Sequence, residues 1–83
     1  MIKNPKPMHP GQVLEEVYMG EMGLNQTDLA KLCKCSPRKI NEIVNGKRGV
    51  SPSFALTLEK VLNTTAEMWV RMQAEYEIGR AHV

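Results

Sequence analysis

Between residues 34 and 48 five cations, Lys34, Arg38, Lys39, Lys47 and Arg48, stand against one carboxylate, Glu42, with Asn41 and Asn45 interleaved. The whole chain has a formal charge of only +2, so everything outside this stretch is net negative. In particular Glu59, Glu67, Glu75 and Glu77 outweigh Lys60 and Arg71 toward the end of the chain. Charge divided this way suits a polyanion met by one face of the molecule. Long or forked polar side chains are the ones that reach and distinguish base edges in a DNA major groove, and Arg38, Lys39, Asn41 and Glu42 meet that demand. Lys47 and Arg48, beside glycines in the following turn, are placed to hold phosphate.

Other chemistries find less support. Cys33 and Cys35 are one residue apart, too close to staple distant parts of a fold, and read as reduced thiols of a cytoplasmic protein. No third cysteine is present and His9 and His82 lie near the two ends, so the expectation is no metal and no cofactor, with Cys33 in the core and Cys35 in a turn. His9 reads as packing at a helix entry. Paired carboxylates, a nucleophile with a base, and a glycine-rich phosphate loop are all lacking, which argues against an enzyme. Eighty-three residues, 42% hydrophobic and 24% charged, predict one globular domain, and no apolar run is long enough to cross a membrane.

Those polar residues need elements to position them. Capping residues, prolines and glycines divide the chain into five short helical segments and require no strand, so the fold expected is all-α. The first segment opens at Pro10 with a Val13, Leu14, Val17, Tyr18 stripe and stops between Gly20 and Gly23. Asn25 caps the second, with Asp28 completing a capping box, Leu24 stapling to Leu29, and Leu29, Leu32 and Cys33 inward. After the short link Lys34, Cys35, Ser36 caps a third helix with Pro37 at its first position. Ile40, Ile43 and Val44 form its inner face, Pro37, Arg38, Asn41, Glu42 and Asn45 its outer one, and Asn45 with Gly46 its stop. Ser51 and Pro52 open a fourth helix that buries Ala55, Leu58, Val61 and Leu62 and ends at Asn63. Thr65 caps the last, where Met68, Trp69, Met72 and Tyr76 recur at helical spacing and fraying is expected beyond Gly79.

Two short helices joined by a tight link, the second with a capped start and a polar outer face, have helix-turn-helix spacing. The first such helix lies across the DNA backbone and the second enters the major groove. Four segments then resemble one family: His9-Pro10-Gly11; Gly23-Leu24-Asn25-Gln26-Thr27-Asp28-Leu29-Ala30; the run from Ile40 through Asn45-Gly46-Lys47-Arg48-Gly49-Val50; and Glu67-Met68-Trp69-Val70-Arg71-Met72-Gln73. In this order and spacing the chain resembles the HigA-type antitoxins, a branch of the Xre or Cro-like helix-turn-helix proteins that includes VapI-like proteins.

The resemblance implies a five-helix domain of Cro and lambda-repressor type that dimerises, binds a palindromic operator in double-stranded DNA, and neutralises a HigB-like toxin that cleaves messenger RNA. It implies phosphate contact by Gln26 and places Pro37, Arg38, Lys39, Asn41 and Glu42 at or near base edges. Ser36 and Asn45, at the two ends of that helix, belong to the same set. The family often has glycine in the turn where this chain has Lys34 and Cys35, and Pro37 lacks a backbone donor. Competing readings are a free-standing Xre-type regulator without a toxin and an interaction module that has lost DNA binding. Residues 1–9 read as an arm, 10–79 as the domain and 80–83 as a tail too short to wrap a toxin, so that a toxin would engage the arm or a folded surface. One recognition helix reads only a few base pairs, so a homodimer is expected, with Met68, Trp69, Met72 and Tyr76 as its interface.

Overall fold

The computed structural model of the protein describes residues 8–81, with side chains through Gly79; the rest of the arm and residues 82–83 lie outside the described residues. Each helix begins on a cap. Helix α1 (residues 10–22) starts at Pro10, where the His9 ring accepts the Gly11 N–H on Nδ1 at 2.8 Å. In α2 (Gln26–Cys33) the Asn25 side chain accepts from the Asp28 N–H at 2.7 Å while the Asp28 carboxylate accepts from the Asn25 N–H at 3.3 Å. Ser36 caps α3 (Pro37–Val44), Ser51 caps α4 (Pro52–Leu62), and Thr65 accepts from the Met68 N–H at the start of α5 (Ala66–Ala81). Each such cap contributes about 0.5–2 kcal/mol by satisfying a backbone donor that the helix leaves open. Among the described residues these five helices are the only regular elements, and none is long and apolar enough to cross a membrane.

The stops are left-handed residues. Gly23 and Gly46 take positive φ at no steric cost, and Asn63 does so as one of the few side chains that tolerate it. Lys34, at φ 58°, occupies the turn position where glycine would relieve a strain of about 1–2 kcal/mol.

Four details depart from simple helical periodicity. Leu14–Met19 winds as a π-helix, with the Gly20 N–H reaching back to the Glu15 carbonyl, so Leu14 and Met19 face inward together and Val17 turns to solvent. In α2 the inner face is Leu29, Ala30 and Cys33, and Leu32 is half exposed. Phe54 joins Ala55, Leu58 and Leu62 in the core, with Val61 only half buried. Helix α5 passes through Gly79 without a left-handed stop and runs to Ala81, two residues into the expected tail.

The core lies between α1, α3, α4 and α5, with α2 packed on α3 and α4. Trp69, Leu14, Leu29, Ile40, Ile43 and Leu58 are its largest enclosed side chains. The Trp69 indole N–H donates to Thr64 Oγ1 at 2.8 Å and its ring leans on Tyr18, so the one polar atom of the ring is satisfied inside the fold.

Candidate nucleic-acid interface

Helix α3 is seated from behind. Ile40, Ile43 and Val44 lie against the core, and α1 crosses their far end so closely that a Cβ on Gly11 would stand 2.5 Å from the Ile43 carbonyl carbon and closer still to its oxygen. Only glycine fits there. The His9 ring adds a second brace, edge-on to Tyr76 of α5 at 4.7 Å and 4.0 Å from where a Gly46 side chain would begin. His9, Pro10 and Gly11 thus fasten the C-terminal end of α3 to α1 and α5.

With that inner face fixed, Pro37, Arg38, Asn41 and Asn45 project outward, and 85% of the Arg38 side chain is exposed. Asn41 donates to Gln26 Oε1 at 3.1 Å, which joins the start of α2 to the middle of α3. The two residues expected to meet phosphate and base therefore hold each other in place. Ser36 is engaged as the cap of α3, and Asn45 donates back to the Asn41 carbonyl at 2.9 Å, closing the end of its own helix. Lys39 departs from the outward set: its ammonium lies 4.6 Å from the centre of the Phe54 ring, drawn toward α4 by a cation–π contact.

The basic turn is tied at both ends. The N–H groups of Lys47 and Arg48 donate to the Glu42 carbonyl at 2.8 and 3.2 Å. At the other end Val50 is buried and its N–H donates to Gln73 Oε1 of α5 at 2.8 Å. Gly49 lies so near Gln73 that a Cβ would meet it at 2.8 Å. Lys47 and Arg48 are exposed on this tethered loop. The Glu42 carboxylate sits between Arg38, 3.2 Å from Oε2, and Arg48, whose Nη2 is 2.8 Å from Oε1. Hydrogen bonds from Arg48 and then Arg38 hold its carboxyl below the usual carboxylate range, so it is ionised at neutral pH.

Gly11, Gly49, Val50 and Gln73 were visible in the segments that carried the family resemblance, yet periodicity assigned them no role. Their work is contact between parts of the chain far apart in sequence, on which spacing is silent.

The stripe on α5 is placed differently from expectation. Trp69 is wholly enclosed within its own chain, Met68 and Met72 pack half buried against the same core, and Tyr76 lies on His9. Trp69 therefore offers no surface to a second subunit. The exposed apolar positions of α5 are Val70 and Ile78, on one face with Ala74. Cys33 is a core thiol that burial pushes up to about 11, and among the described residues no three metal-ligating side chains gather.

Residues 14–69 match the family model for helix-turn-helix proteins, HTH_3. Virulence-associated protein I of Dichelobacter nodosus is 41% identical over 80 residues, which span 95% of this chain and 74% of that protein. The structure of the Pseudomonas aeruginosa antitoxin HigA with the higBA promoter superposes with a TM-score of 0.89 and 32% identity, over 93% of this chain and 84% of that one. An addiction module antidote protein of the HigA family from Coxiella burnetii superposes with a TM-score of 0.86 and 33% identity, over 92% and 83% of the two chains.

Proposed function

The chain belongs to the helix-turn-helix family, and we propose on that footing that it is a DNA-binding antitoxin that represses its own operon and neutralises an mRNA-cleaving, HigB-like toxin. The observation that carries the DNA half is the outward face of α3, with Arg38 and the Gln26–Asn41 pair on a braced helix beside a basic turn anchored at both ends. A major-groove reader needs that combination: forked side chains for base edges, and cations at a fixed distance for phosphate. The antitoxin half rests on likeness to HigA structures, one of them solved with its promoter. Mobility shift on the DNA upstream of the gene, with and without competing random duplex, tests the first half. Absence of any shift would remove it and favour the interaction module. Co-expression with the product of the adjacent gene tests the second. Failure to rescue growth would leave a free-standing regulator.

The working form proposed is a two-fold dimer on a palindromic operator, with half-sites about one helical turn, roughly 10 base pairs, apart. Because Trp69 is enclosed, the interface is assigned instead to the face of α5 bearing Val70, Ala74 and Ile78, apolar and exposed on a single chain. The toxin is assigned to a folded surface or the arm. Deleting residues 1–8 and following co-purification separates these, since undiminished binding excludes the arm.

A further inference from the structure

Glu42 is the one carboxylate in the basic stretch from residue 34 to residue 48, and a negative charge there opposes phosphate. Its surroundings give a reason for its presence. Both carboxylate oxygens are occupied, one by Arg38 Nε at 3.2 Å and the other by Arg48 through Nε at 3.0 Å and Nη2 at 2.8 Å. The carbonyl of the same residue receives the N–H groups of Lys47 and Arg48. One residue therefore ties the recognition helix to the basic turn by backbone and side chain together.

Depth decides between reading a base and bracing the arginines. The Glu42 side chain is 24% exposed, against 85% for Arg38 and 51% for Arg48. An approaching base edge meets the guanidinium groups before the carboxylate beneath them. Arg38 engages Glu42 through Nε, so both of its terminal nitrogens remain for the O6 and N7 acceptors of a guanine. A long exposed side chain loses rotamer freedom when DNA fixes it, and one already held by a carboxylate has lost much of it beforehand.

We propose, resting on the DNA-binding reading above, that Glu42 is a positioning residue that splints the base-reading Arg38 to the phosphate-holding Arg48, giving up general affinity for DNA in return for discrimination among sequences. The splint fixes the distance between a base contact and a phosphate contact. A register that satisfies one arginine and misplaces the other is then penalised.

The test uses the full chain, a duplex recovered by wild type from a randomised library, and random-sequence duplex. Glu42→Gln should bind random duplex more tightly, steepen its salt dependence by about one ion, and reduce the ratio of selected to random affinity by about tenfold. Glu42→Asp keeps the charge but is a methylene short of bridging, and should lose discrimination without the steeper slope. In an Arg38→Ala background Glu42→Gln should change discrimination by less than about twofold, because the two act as one unit. Unchanged discrimination in Glu42→Gln overturns the splint, as does relaxed preference at a single base pair that persists in the Arg38→Ala background. Free protein supplies a readout independent of DNA: the Arg38 Nε–H should exchange slowly in wild type and rapidly in Glu42→Gln. Rapid exchange in wild type overturns the splint and leaves the DNA reading standing; a wild type that enriches no sequence overturns that reading.

Discussion

Replacing Gly11 with alanine adds one methyl group at the crossing of α1 and α3. Its ideal position is 2.5 Å from the Ile43 carbonyl carbon, nearer to the oxygen, and 3.0 Å from His9 Nδ1. Ordinary carbon–oxygen contact begins at roughly 3.3 Å, so the two backbones must part by about 1 Å or more. Neither can yield alone, because Ile43 is pinned by the core and Gly11 by the His9 cap. Overpacking typically costs about 1–3 kcal/mol, and with rigid backbone on both sides the upper figure applies. Against a total stability of about 4–12 kcal/mol for a chain of this size, that is a large fraction. At about 4–8 °C per kcal/mol, the melting temperature should fall by roughly 12–24 °C. Because Ile43 directly follows Glu42, the fraction that stays folded should bind its selected duplex about tenfold more weakly, or 1.4 kcal/mol. Thermal melts by far-ultraviolet circular dichroism and titrations of folded protein measure the two effects. Gly20→Ala is the internal control: Gly20 is helical and exposed, and a Cβ there meets only the Glu15 carbonyl oxygen, at 3.7 Å. That change should stabilise by about 0.5–1 kcal/mol, since alanine restricts the unfolded chain. If Gly11→Ala melted within about 3 °C of wild type, the close crossing would be wrong as the reason for glycine.

Other consequences follow from the same geometry. Arg38→Ala should cost about 1–3 kcal/mol on the selected duplex and relax preference at one or two base pairs, whereas Lys47→Ala should weaken all sequences alike and lower the salt slope by about one; footprinting and salt titration separate them, and identical behaviour would dissolve the division between reader and anchor. Lys34→Gly removes a left-handed lysine at about 1–2 kcal/mol and adds unfolded-state freedom at about 0.5–1, so a net gain of about 0–1.5 kcal/mol should appear in the melt, and a clear loss would contradict the strain. Ile78→Glu should shift sedimentation toward monomer without lowering the melting temperature of the monomer, while a variant that dimerises as well as wild type would move the interface off that face of α5.

The caps show which information is local. Asn25 with Asp28, Ser36 with Pro37, Ser51 with Pro52, and Thr65 all act over three residues, so their residue types and spacing suffice to place the helix starts. The left-handed stops at Gly23, Gly46 and Asn63 are equally local. The inner face of α3 was legible because Ile40, Ile43 and Val44 repeat at helical spacing in a segment bounded on both sides.

Spacing failed where a second element chose the outcome. The Val17 position assumes 3.6 residues per turn, and the wider winding of Leu14–Met19 brings Met19 inward instead. Periodicity placed Trp69, Met72 and Tyr76 on one stripe, but a stripe does not say whether it meets its own core or a second chain; α1 and His9 take that surface here. Lys39, expected at or near base edges with Arg38 and Asn41, is turned aside by Phe54, fifteen positions on. The charges of Arg38, Glu42 and Arg48 could be read from the chain, whereas their convergence on one carboxylate depends on a turn folding back over α3. Residue types and short spacings determined the helices, their ends and the polarity of their faces, because caps and helical turns are settled within a few residues. Only the tertiary structure decided which face met which partner, because the steric and electrostatic contacts that choose it join residues that chain order leaves apart.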